Sequence, residues 1–141
     1  MTVLDDIALK HEKSGPPADP DLVRRTTDEL LDPPSLLVRE YFARFGGVKS
    51  SARTGIELLD VFEGIENVVS NTKFVRAEFG FGPSHLVISS SSCGDSIYVY
   101  DSKTDQVYDV DFEGGHEAFL NGTLPRISNS FEAFLRWFFD V

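Results

Sequence analysis

His85 to Glu113, HLVISSSSCGDSIYVYDSKTDQVYDVDFE, is the stretch whose reading decides the fold. Three short apolar runs, Leu86 to Ser89, Ile97 to Asp101 and Val107 to Phe112, are separated by breaks rich in serine, glycine and aspartate. Runs of this length, rich in Val, Ile and Tyr and bounded by turn formers, predict strands joined by tight connections. Successive side chains on a strand point to opposite faces, so Tyr108, Val110 and Phe112 share one side while Val107, Asp109 and Asp111 share the other. The expectation is a sheet with one apolar face against the core and one acidic face toward a partner.

On the N-terminal side, Ser35 to Phe45 carries Leu37, Val38, Tyr41, Phe42 and Phe45 at helical spacing, with Gly46-Gly47 as a stop. Asp19-Pro20 suits the opening of an earlier helix with Leu22, Val23, Leu30 and Leu31 on its apolar side, closed by Pro33-Pro34. Before it, residues 1–19 are polar and interrupted by Ser14, Gly15, Pro16 and Pro17, which predicts a mobile arm, with the domain proper over 20–141. Ile56, Leu58 and Val61 alternate with Glu57 and Asp60 as in a strand. Asp60 and Glu63 are spaced as a capping pair for a following helix that would bury Phe62, Ile65, Val68 and Val69. Lys73 to Pro83 reads as partly extended. At the C-terminus Asn129 and Glu132 form another capping-type pair, and Phe131, Phe134, Leu135 and Phe138 recur on one helical face, with Trp137 away from Phe134 and Phe138. Helices ahead of a run of strands and one helix after it predict a single α+β domain with a mostly antiparallel sheet packed against helices.

At 141 residues the chain is long enough for a core without disulfides or metal, and its 12 phenylalanines predict that aromatic burial drives folding. Lys and Arg number 13 against 23 Asp and Glu, a formal charge of -10 that repels phosphate backbones and anionic lipid and attracts basic proteins. Nucleic-acid and membrane partners are therefore not expected. Cys93 is the sole cysteine, which excludes an intrachain disulfide and a multi-cysteine zinc site. No apolar run approaches a membrane span, and the first residues lack the basic and apolar regions of a secretory leader, so the expected location is the cytoplasm.

Catalytic readings find little support. Cys93 with His85 or His116 would need a base and an orienting third group, and no Gly-x-Ser-x-Gly elbow, phosphate-binding loop or His-Glu-x-x-His pair is present. Asp101, Lys103 and Asp105 alternate like the start of a calcium loop, but Lys103 opposes a cation, Gln106 stands where the sharp-turn glycine belongs and Phe112 replaces the closing carboxylate. Neither a metal nor a cofactor is expected. Gly94-Asp95 reads as a hairpin turn. The carboxylates Asp95, Asp101, Asp105, Asp109, Asp111 and Glu113 remain, relieved only by Lys103, as candidates for a face that recognises a basic protein.

The order of several segments resembles the SUKH superfamily. They are the aromatic helix ending in Phe45-Gly46-Gly47, the Ile56-Glu57-Leu58 run, the Gly94-Asp95 turn entering Ile97 to Asp101, the Val107-Tyr108 strand and the final Ser130-Phe131-Glu132-Ala133-Phe134-Leu135 helix. The likeness covers roughly Asp32 to Asp140. It implies a non-enzymatic α+β domain. Bacterial members of this type are mostly immunity proteins that bind and neutralise a cognate toxin, often a nuclease, and fungal relatives are cell-wall regulators and scaffolds. The expectation is an immunity protein whose six carboxylates meet a basic toxin surface and occlude its active site. A regulatory or scaffold module that binds another protein is the alternative.

Overall fold

The structure, a computed structural model, describes residues 2–11, 15–51, 55–91 and 96–141. Their elements run α1 (Val3–Lys10), α2 (Pro20–Leu30), α3 (Leu36–Arg44), β1 (Lys49–Ser50), β2 (Glu57–Leu58), α4 (Val68–Phe79), β3 (His85–Val87), β4 (Ser96–Asp101), β5 (Gln106–Asp111), α5 (Gly115–Leu120) and α6 (Phe131–Phe139). The three runs of the central stretch pair as an antiparallel sheet in the order β3-β4-β5, with Val87 opposite Val99 and Tyr98 opposite Asp109. The α+β class with antiparallel sheets is the architecture the sequence predicts.

Both rims of this sheet are extended. β1 and β2 form a hairpin of their own. It leans on β3 through a Leu58–Ser89 bridge, with Leu59 N–H donating to Ile88 O (3.0 Å) and Ser90 N–H to Glu57 O (2.9 Å). On the opposite rim, Ile127 N–H donates to Val107 O (2.8 Å) and Val107 N–H to Ser128 O (3.2 Å).

The expectation of one apolar and one acidic face is corrected, because helices cover the sheet on both sides. Val87, Ile97, Val99 and Val110 point toward Val75 of α4 and Phe119 of α5. Leu86, Tyr98, Tyr100 and Val107 point toward α3 and α6, where Tyr98 meets Phe134 edge to face at 5.3 Å and Tyr100 meets Phe131 at 5.2 Å. The physical reason lies in β4, whose Ile97, Tyr98, Val99 and Tyr100 are all buried. An unbroken apolar strand has two faces to hide, and the alternation of β5 alone does not report on its neighbour.

Two local expectations also change. Asp60 does not open a helix: its carboxylate accepts from the N–H groups of Gly47, Phe62 and Glu63, each at 2.8 Å, and so fixes an irregular loop over 61–66. Phe62 and Ile65, expected in a core, are exposed in that loop. The helix begins instead at Asn67, which caps α4 in a reciprocal pair with Ser70. It continues through Lys73 to Phe79, the segment expected to be partly extended, and stops at Gly80 in the left-handed conformation. Val68, Thr72 and Val75 form its buried stripe, and packing of that stripe on the sheet outweighs the modest helix propensity of a stretch rich in Val and Phe.

The N-terminal residues differ from the expected mobile arm. Thr2 caps α1 in a capping box with Asp5, and Val3, Leu4 and Ile7 are buried in the main core. Arg136 of α6 bonds Asp6 at 3.0 Å, Lys10 bonds the backbone carbonyl of Asp140, and His11 stacks edge to face on Phe139. α2 and α3 match their predicted ends, with Asp19 and Ser35 as caps. In α6 the cap is Ser130, one residue after the expected Asn129, whose side chain instead accepts from Arg126.

Candidate protein-binding site

The six predicted carboxylates do not share one surface. Paired residues across antiparallel strands face the same side, so Asp101, opposite Gln106, lies on the α4 side of the sheet, whereas Asp109 and Asp111, opposite Tyr98 and Ser96, lie on the α6 side. Asp95 lies outside the described residues, as do Cys93 and the Gly94-Asp95 turn.

Three of the remaining five are engaged by the fold. The Asp101 side chain is 15% exposed, lies 3.7 Å from His85 Nε2 and accepts from Lys103 N–H at 3.0 Å. Burial acts to raise its pKa, but His85 and the hydrogen bonds from Lys103 and Ser84 outweigh it and hold the carboxyl below its ordinary value. His85 takes Gly82 N–H on Nδ1 at 2.9 Å, which leaves Nε2 to present its proton toward Asp101. Asp111 accepts from Gly115 N–H (3.0 Å) and Glu113 N–H (2.9 Å), and these donors lower its pKa. The approach is so close that a Cβ on Gly115 would stand 2.4 Å from Asp111 Oδ2. Asp111 is thus the fastening of the β5–α5 connection. Asp105, in the left-handed conformation at the tip of the β4–β5 hairpin, accepts the Tyr100 hydroxyl at 2.7 Å. Burial together with that contact pushes the Tyr100 phenol above its ordinary value.

Asp109 and Glu113 are exposed, and neither carboxylate has a hydrogen-bond or ion-pair partner among the described residues. Asp109 stands out by its surroundings. It lines a groove of about 480 Å³ with Tyr98, Ile127, Ser128 and Trp137. Trp137 is 37% exposed and Ile127 is 44% exposed. Position Trp137 follows from α6: Phe134 and Phe138 take the buried stripe, which turns residue 137 toward the rim of β5, where its ring meets Tyr98 at 6.4 Å. Ile127 is held there by the backbone bonds to Val107. The fold therefore brings Asp109, one of two predicted carboxylates without a partner among the described residues, beside the one tryptophan, and adds Ile127 and Ser128, which the sequence reading did not single out.

This arrangement has an apolar wall, an aromatic face and beside them a carboxylate without a partner among the described residues. It can hold the stem of a lysine or arginine against Trp137 while the cationic head meets Asp109, a cation–π contact combined with an ion pair. Among the described residues no group of three or more His, Cys, Asp and Glu side chains is arranged to hold a metal ion. None of the described helices is long and apolar enough to cross a membrane. Comparison with protein-family models, with curated proteins and with solved structures finds no match to this chain.

Proposed function

We propose that this protein is an immunity protein of the SUKH type, which acts in the cytoplasm by binding a cognate toxin through the Asp109–Trp137 groove and covering the toxin's active site. The observation that carries the reading is the groove itself: an exposed tryptophan and isoleucine flank a carboxylate with no partner among the described residues. Hot spots at protein interfaces have this composition, with an aromatic anchor next to a charge that its partner neutralises. The net charge of -10 supports a basic partner, since opposite charge speeds encounter and excludes wrong partners. The resemblance in segment order supports a toxin as that partner. Of the predicted carboxylates, Asp109 is the contact in this proposal and Glu113 and Asp105 lie at its acidic periphery.

Co-expression with the toxin encoded beside the gene, scored by survival, tests it. The wild-type chain restores growth. The double substitution Asp109→Lys with Trp137→Ala weakens toxin binding by more than about tenfold, or ~1.4 kcal/mol. A cooperative thermal transition shows that the variant still folds, since Trp137 also packs on Tyr98 and Phe134. Full protection by the double variant removes the groove from the account, and no protection by the wild-type chain removes the immunity function.

A further inference from the structure

The rim of β5 beside this groove is left open by the backbone, and its polarity of hydrogen bonding can be read from the pairing. β4 bonds β3 through its even residues, with Ile88 N–H donating to Tyr98 O at 3.0 Å, so its odd residues Ile97, Val99 and Asp101 bond β5 through Val110, Tyr108 and Gln106. The N–H and C=O groups of Val107 and Asp109 therefore point away from the sheet. Those of Val107 are taken by Ile127 and Ser128. Those of Asp109 have no hydrogen-bond partner among the described residues. In the antiparallel register of the Val107–Ser128 bridge Arg126 would stand opposite Asp109, but no backbone bond joins the two, and Leu124 packs on the α5 side of the sheet. The opposite rim is closed along β3 by α4, where Val87 N–H donates to Thr72 Oγ1 and Arg76 donates to His85 O, and just beyond β3 by the three contacts already described.

From this juxtaposition we infer that the groove is one half of a strand-addition site: a short extended segment of a basic protein pairs with β5 at Asp109 and sets a Lys or Arg between Asp109 and Trp137. This deepens the binding role proposed above and rests on it. Residues directly opposite in an antiparallel pair put their side chains on the same face, so the residue that bonds the Asp109 backbone projects its side chain into the groove. Main-chain bonds then give register and the cation gives selectivity, the division of labour found where peptides add to a sheet edge. The occupant is fixed by charge: a cation beside Asp109 completes a pair, whereas an anion would meet Asp109, Asp111 and Glu113 together.

The probe is a blocked heptapeptide of alternating Thr and Val with one central Lys, titrated into the isotope-labelled full chain and followed by amide resonances. Saturable shifts centred on Asp109, Ile127 and Trp137 are expected, with slowed exchange of the Asp109 amide. The peptide with Glu in place of Lys, and the peptide N-methylated on alternate amides, are each expected to bind at least about fivefold more weakly. Asp109→Asn, which keeps the backbone donor and the side-chain size, is expected to lose affinity for the Lys peptide by a similar factor. Equal binding of the N-methylated peptide, shifts centred elsewhere, no binding, or a chain that sediments as a dimer through this rim would overturn strand addition. Protection of cells against the toxin is a separate readout, so a failed peptide experiment with intact protection sinks this inference and leaves the groove standing.

Discussion

At the scale of single residues, Asp60 shows how one carboxylate can organise a segment that has no regular structure. It collects three backbone N–H donors from Gly47, Phe62 and Glu63. Burial acts to raise its pKa, but those donors and the nearby Lys49 more than offset it, so the folded value lies below the ordinary 3.8. A group depressed on folding contributes stability that is fully present above its unfolded pKa and is lost as pH falls through the folded value. Chemical denaturation at neutral pH is therefore expected to show Asp60→Asn less stable by about 1–3 kcal/mol, the cost of weakening a multiply bonded buried group. The gap should narrow below about pH 4, where the unfolded chain takes up a proton that the folded carboxylate still resists. A gap independent of pH would assign the effect to packing. The sequence carried half of this: Asp60 and Glu63 were legible as a capping pair, but donors contributed by Gly47 come from a distant turn and no local spacing announces them.

Among the elements, α1 is the one whose contribution was hardest to read. Five of its eight residues are apolar, but a short stretch followed by Gly15, Pro16 and Pro17 resembles a loose end when taken alone. What makes it an element is tertiary: Val3, Leu4 and Ile7 enter the core shared with α6, and Asp6 meets Arg136 across the interface. Deleting residues 1–11 is expected to lower stability by about 2–4 kcal/mol, the order of losing one or two buried aliphatic side chains at roughly 1.5–3 kcal/mol each. Urea denaturation of the shortened chain measures it, and an unchanged midpoint would return the segment to the status of an arm. α3 and α6 were legible because their aromatic stripes recur at helical intervals. α4 was not, because Phe74 and Phe79 flank the buried stripe instead of marking it. β4 held the missed clue about the sheet, since four successive buried apolar residues leave no side for water.

Across the whole molecule, charge is unevenly neutralised. Arg24 pairs with Asp21 and Glu40, Arg39 with Asp28 and Glu40, Arg44 with Asp5, Arg136 with Asp6 and Glu132, and Lys10 with Asp140. These cations belong to α1, α2, α3 and α6, whereas Asp109 and Glu113 have no ion-pair partner among the described residues. Association with a basic partner is expected to be fast at low salt. The rate should fall at least about tenfold as screening shortens from roughly 30 Å at ~0.01 M to roughly 3 Å at ~1 M. Stopped-flow mixing at several ionic strengths checks this, and a flat dependence would mean that apolar contact alone brings the partners together. The double covering of the sheet has a last consequence. With both broad faces of the sheet committed to holding the domain together, the recognition proposed for the Asp109–Trp137 groove falls on a narrow border a few side chains long. Substitutions along that border can redirect the protein to a new partner with little loss of foldedness, so a lineage under pressure from changing antagonists could alter its choice of target while its interior stays the same.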